Sequence, residues 1–90
     1  MPTLLVGYDL NQPGQNYNRL WTQLKAYGTW WHHLDSTWLV TTELTPVQLR
    51  NALRDLVDTS DEVLVIDVTG KSWAGTGFDD QAYGWLKQNM

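Results

Sequence analysis

Thr29-Trp30-Trp31-His32-His33-Leu34-Asp35-Ser36-Thr37-Trp38-Leu39-Val40-Thr41-Thr42 is the stretch on which the fold turns. It contains two runs, Thr29 to Leu34 and Ser36 to Thr42, rich in tryptophan, threonine, valine and histidine and separated by Asp35. β-Branched and aromatic side chains suit a pleated, half-buried surface, so both runs read as strands. The short connection Leu34-Asp35-Ser36 joins them as a hairpin. Upstream, Tyr17, Leu20, Trp21, Leu24 and Tyr27 recur at three- and four-residue spacing, the mark of a helix with one apolar stripe. Asn16 is placed to cap that helix, and Gly28 stands where helices commonly end in a left-handed residue. Before it, Thr3-Leu4-Leu5-Val6-Gly7-Tyr8-Asp9 reads as a buried strand closed by turn chemistry from Asn11 to Gly14. Downstream, Thr45-Pro46-Val47-Gln48 starts a second helix, with Thr as cap, Pro in the first turn and Gln three residues after the cap. Leu49, Ala52, Leu53, Leu56 and Val57 supply its apolar face, and Asp58 to Asp61 ends it. Glu62 to Thr69 is a further buried strand.

The order strand, helix, strand, strand, helix, strand is the split βαβ pattern. It predicts an α+β, ferredoxin-like βαββαβ domain over residues 1–90, with a four-stranded antiparallel sheet and two helices on one face. The first and third strands should be the inner pair. Gly70 to Gly77 reads as a loop, and Gln81 to Asn89, behind the capping acids Asp79 and Asp80, as a short C-terminal helix. A fifth strand there is the weaker reading, because Gln, Lys and Asn form strands poorly. Along the first strand Leu4, Val6 and Tyr8 share one face, and Leu5, Gly7 and Asp9 the other. Along the last, Val63 and Val65 oppose Leu64, Ile66 and Val68. Two helices cover one side only, so the second face needs the C-terminal segment or another subunit. A homodimer through the sheet is expected.

Composition narrows the function classes. With ten acidic and six basic residues, a net charge of -4 and a pI near 4.7, the chain lacks the positive footprint of a protein that coats nucleic acid. A metal-dependent nuclease, whose charge requirement is local, stays open. Without cysteine there is no disulfide framework, thiolate nucleophile or Cys-based zinc site. No apolar stretch approaches the roughly twenty residues that cross a bilayer, and Met1-Pro2-Thr3 lacks a basic leader. The expectation is a cytoplasmic protein with no membrane partner.

Spacing decides among several motifs. Gly70-Lys71-Ser72 imitates the end of a P-loop, but Val65 occupies the position of its first glycine. Gly75-Thr76-Gly77 lacks the third glycine of a dinucleotide fingerprint, Asp80 standing in its place. His32 and His33 point to opposite sides of a strand, so one metal does not take both. Either imidazole suits general acid–base work. The six tryptophans imply an aromatic core or an aromatic contact surface. Trp30, Trp31 and Trp38, with Trp73, form the candidate surface; stacking of unpaired bases there competes with packing. Asp9 ends an apolar strand at the sheet's end. It can cap a turn, or, doubled across a dimer axis, hold a hard divalent cation.

Leu5-Val6-Gly7-Tyr8-Asp9-Leu10, the tyrosine-asparagine start of the first helix, and Gly28-Thr29-Trp30-Trp31-His32-His33-Leu34-Asp35-Ser36-Thr37-Trp38 resemble small bacterial and phage proteins labelled SinR-type, a misnomer because such chains do not look like helical repressors. More remotely, element order and the Tyr8-Asp9 pair are similar to the small CRISPR adaptation nuclease and the virulence-associated protein D ribonucleases. The remote resemblance implies a ferredoxin-like homodimer that cleaves RNA or DNA with magnesium through the aspartate matching Asp9. The chain departs from that pattern in having no Arg or Lys between Tyr27 and Arg50. The sequence therefore carries two readings. The leading one is a magnesium-dependent phosphodiesterase acting as a homodimer, with catalytic candidates Asp9, His32 and His33 and Asp9 on the metal. The other is a non-catalytic dimeric module that presents tryptophans to a protein partner.

Overall fold

The computed structural model describes residues 1–11 and 17–90. Along them run β1 (Thr3–Asp9), α1 (Asn18–Ala26), β2 (Trp30–Leu34), β3 (Thr37–Thr41), α2 (Pro46–Arg54), β4 (Glu62–Asp67) and α3 (Asp80–Asn89). The architecture is α+β, with a four-stranded antiparallel sheet in the order β2-β3-β1-β4. The inner strands are the first and third, as the element order predicts. The hairpin closes across Leu34 and Thr37. Asn16, and residues 12–14 of the turn expected from Asn11 to Gly14, lie outside the described residues.

One core forms between the sheet and the first two helices. Leu4, Val6 and Tyr8 of β1 and Trp38 and Val40 of β3 pack on Leu20 and Leu24 of α1 and Leu49 and Leu53 of α2. The i, i+4 spacing of each leucine pair places both side chains on one helix face. Thr45 caps α2 in a full capping box with Gln48, as the motif predicts. The helix stops at Arg54, short of the expected Asp58, with Asp55 as its C-cap. Leu56 and Val57 still pack on this core from the connection that follows. Their apolar character reported burial correctly and helix wrongly.

The opposite sheet face carries a second, smaller core. Trp31 and Leu39 pack against Ala82 and Leu86 of α3, with Leu5, Val68, Phe78, Trp85 and Met90 around them. The C-terminal segment is a helix, and Asp79 caps it by accepting from the Ala82 N–H at 2.8 Å. Trp31 Nε1 donates to the Ala82 carbonyl at 3.2 Å, and Thr3 Oγ1 donates to the Asn89 carbonyl. These bonds pin both ends of α3 to the sheet.

Tyr8 joins the layers on the first side. Its hydroxyl accepts from Trp38 Nε1 at 3.0 Å and Trp21 Nε1 at 3.2 Å, and donates to the Asp35 carbonyl at 3.3 Å. Asp61 plays a similar part at the entry to β4, accepting from the Asn11 and Asp58 N–H groups and the Tyr17 hydroxyl. Desolvation alone pushes its carboxyl up. The bonds from Asn11, Asp58 and Tyr17 outweigh it and hold the pKa below the ordinary value.

Gly28 corrects a sequence expectation. Its backbone is not left-handed; among the described residues positive φ occurs only at Gly70 and Gly77. It is glycine because a Cβ would lie 2.6 Å from Thr41 Oγ1 and 2.7 Å from the Thr41 carbonyl oxygen. The same Thr41 hydroxyl accepts from the Thr29 N–H at 2.8 Å, which fixes the crowded corner.

Three outcomes follow. Tyr8→Phe strips the acceptor from two indole N–H groups, and denaturant titration should show a loss of about 2–4 kcal/mol. Gly28→Ala should cost about 1–3 kcal/mol by the same measurement, through overpacking. Because the folded pKa of Asp61 is depressed, its stabilisation is complete above the ordinary carboxylate range and disappears as pH falls through the folded value. Asp61→Asn should therefore flatten the acid side of a melting-temperature profile below about pH 4 and lower the plateau at neutral pH.

Candidate functional site

Asp9 is the last residue of β1 and stands directly opposite Glu62, the first residue of β4. Directly opposed side chains share a face with Cβ atoms roughly 5 Å apart. The two carboxylates are thus neighbours on the second sheet face. They line a hollow of about 430 Å³ with Gly7, Ser36, Thr37 and Leu64. Gly7 keeps its floor low, and the Ser36 carbonyl accepts from the Tyr8 N–H at 3.1 Å, holding the hairpin turn at its side. Two exposed carboxylates with open sides suit a hard divalent cation that keeps several of its waters, as magnesium does. No group of three or more His, Cys, Asp or Glu gathers anywhere among the described residues.

The histidines lie elsewhere. His32 stacks on Trp38, ring centroids 4.0 Å apart and planes 13° from parallel, and its Nε2 lies 3.3 Å from the Asp35 carbonyl oxygen. His33 packs on the other face against Trp31 at 5.0 Å and Phe78 at 6.4 Å. Their opposite orientation follows from strand alternation. Neither lines the hollow of Asp9, and β3 separates β2 from β1.

The tryptophans divide between the layers. Trp38 is 1% exposed in the first core and Trp31 4% in the second. They do not make a joint platform. Trp30, 40% exposed, packs on Trp38 at 5.4 Å with Lys25 Nζ 5.2 Å from its ring centroid. Trp73 is exposed on the opposite side, at the mouth of an apolar cleft of about 260 Å³ walled by Leu34, Leu39, Phe78 and Leu86.

α3 and the loop before it cover only part of the second face. Across one row the register runs Leu34, Thr37, Gly7, Leu64; across the next, Trp31, Leu39, Leu5, Ile66. Trp31 and Leu39 are buried, whereas Leu34, Ile66 and Leu64 are 47%, 44% and 61% exposed. An apolar half-face formed by Leu64 and Ile66 therefore remains open at β4, and Leu34 is exposed apart from it at the opposite edge, on β2. Strand alternation in the sequence already sets Leu64 and Ile66 on this face; Glu62 is the residue it does not single out. The signal for Glu62 was present: antiparallel pairing of β1 with β4 sets the last residue of one against the first of the other.

No family model, curated protein or solved structure matches the chain.

Acrylamide quenching of tryptophan emission checks this partition. Trp30→Phe combined with Trp73→Phe should remove most of the quenchable emission. Trp38→Phe should leave the quenchable component intact while lowering stability.

Proposed function

We propose that this chain is a cytoplasmic, ferredoxin-like homodimeric interaction module that works through its second sheet face. The strand order, with α1 and α2 sharing the other face, supports the fold assignment. The observation that carries the function is the incompletely covered second face, where Leu64 and Ile66 are exposed on the edge strand β4 and Leu34 and Trp73 beside the apolar cleft on the hairpin side. Exposed apolar side chains of an edge strand rimmed by polar ones, here Asp9, Glu62 and Lys71, are a usual signature of a protein contact surface. The acidic balance of the chain and the absence of any Lys or Arg lining the Asp9 hollow favour a protein partner over a polyanion.

Sedimentation velocity tests this reading. The chain should sediment as a dimer at micromolar concentration, and Leu64→Ser combined with Ile66→Ser should convert it to a folded monomer. A wild-type monomer at every concentration would remove the proposal.

The Asp9–Glu62 pair favours a second reading, magnesium-assisted hydrolysis of a phosphodiester, in line with the resemblance to small nucleases. Asp9 and Glu62 would hold the ion, which would lower the pKa of a bound water and polarise the phosphoryl oxygen. Both histidines are committed to aromatic neighbours, so proton transfer would fall to metal-bound water or to these carboxylates. Single-stranded RNA and DNA oligonucleotides, with magnesium or with a chelator, separate the readings. Cleavage that needs magnesium and drops by roughly two orders of magnitude in Asp9→Asn would establish the hydrolase; no cleavage by the wild type would leave the module.

A further inference from the structure

The open half-face ends at β4, whose outer edge no described strand pairs. The two edges of the sheet differ. Pairing of β2 is interrupted by a register shift between Trp31 and Leu34, a device that blunts an edge. β4 is regular, with six consecutive residues in register with β1, and its interior is Val63-Leu64-Val65-Ile66 without Pro, Lys or bulge. A flat apolar edge of this kind is a template for another strand. The Val68 N–H donates to the Thr3 carbonyl, so residues of its parity address β1. Val63, Val65 and Asp67 therefore turn their N–H and C=O groups outward.

Beside this edge lies α2. Arg50 and Arg54, one turn apart, line a hollow of about 380 Å³ with Val57, Val63, Asp58 and Asp61, and Arg50 also lines a second one of about 300 Å³ with Val47, Val63 and Val65. Neither arginine meets a carboxylate among the described residues: Arg50 donates to Asn51 Oδ1, and Arg54 has no partner. At the far end of β4, Asp67 accepts from the Thr69 N–H and hydroxyl through Oδ1 alone, leaving Oδ2 open. Asp67 lies opposite Leu4, so its side chain is on the helix side of the sheet.

We propose that the partner of this edge is a second copy of the chain, paired antiparallel through β4 about a two-fold axis at Val65; this deepens, and rests on, the interaction-module reading. Directly opposed residues share a face, so a two-fold axis perpendicular to the sheet must pass through a residue position. An axis at Val65 engages every outward-facing group of β4: Val65 pairs with its own copy, and Val63 pairs with the partner's Asp67. An axis at Leu64 leaves Asp67 facing the partner's Asp61, two like charges, and forfeits a hydrogen-bonded pair. In the Val65 register the partner's Asp67 stands beside Val63 on the helix side, by the hollow where Arg50 and Arg54 form no ion pair among the described residues. On the opposite side Leu64 meets the partner's Ile66, which covers the most exposed apolar side chains of the strand. Each contact occurs twice.

The chain has no cysteine, so single-cysteine variants test the register. Leu64 and the partner's Ile66 form a non-hydrogen-bonded pair, with Cα atoms about 4.5 Å apart. Mixing Leu64→Cys and Ile66→Cys chains under mild oxidation should give a covalent dimer containing one of each. Either variant alone should crosslink poorly, because the same position in the two copies is offset by two residues, roughly 8 Å, beyond disulfide reach. Arg50→Asp with Arg54→Asp should weaken the dimer about tenfold, Asp67→Arg similarly, and all three together should restore it. Absence of the mixed disulfide, or no restoration on charge exchange, would overturn the pairing. If Leu64→Ser with Ile66→Ser still abolished a dimer that failed these tests, the module would stand and edge pairing alone would fall. A wild-type monomer would remove both.

Discussion

The Tyr8 hydroxyl is the point where the layers of this small protein meet. One oxygen accepts the indole N–H of Trp38 from β3 and of Trp21 from α1 and donates to the hairpin turn at Asp35. A tryptophan is costly to bury unless its N–H finds an acceptor. Here two such demands are met by one group near the end of β1. His32 then stacks on Trp38 and meets the same Asp35 carbonyl. The hairpin, the first helix and the central strand are therefore fixed by one shared network. Asp9 follows Tyr8 directly, so the carboxylate at the sheet's end takes its position from the most constrained residue of the strand.

The second constraint is that a chain of 90 residues must cover a sheet that is apolar on both faces. α1 and α2 close one face. On the other, α3 has ten residues, about 15 Å of helix at 1.5 Å per residue. It is tied to β2 through Trp31 and to the start of β1 through Thr3. That anchoring places it over the hairpin half and leaves β4 bare. The excess of tryptophan is explained in the same terms. Trp38 fills one core and Trp31 the other, while Trp30 and Trp73 lie at the surface.

Much of the fold was legible in local chemistry. The hairpin, the capping box at Thr45 and the Asp79 cap each rest on a few adjacent residues, and the inner-strand order follows from connectivity. Features that depend on distant neighbours were not legible. Gly28 is required by Thr41, thirteen positions away, rather than by its own backbone angles. Leu56 and Val57 have the spacing of a continued helix, yet they pack from a connection because Arg54 already ends it. For the site, Asp9 was visible as an acid closing an apolar strand. Its neighbour Glu62 required the strand pairing, and the distance of the histidines from both required the sheet order.

Geometry also bears on how an acid at this position can act. In a dimer joined at Val65, Glu62 of one copy lies opposite the partner's Val68, at the far end of the partner's strand. Asp9 is in register with Glu62, so the two copies of Asp9 are displaced in opposite directions along the strands and separated by both β4 strands. Two aspartates so placed cannot share an ion. Any metal chemistry in that assembly belongs to a single chain, with Glu62 rather than a second Asp9 as the companion carboxylate. The same pairing brings the partner's acid to Arg50 and Arg54 on the opposite side of the sheet. Arg50 and Arg54 are then engaged in assembly, and no Lys or Arg lines the Asp9 hollow to bind a phosphate backbone.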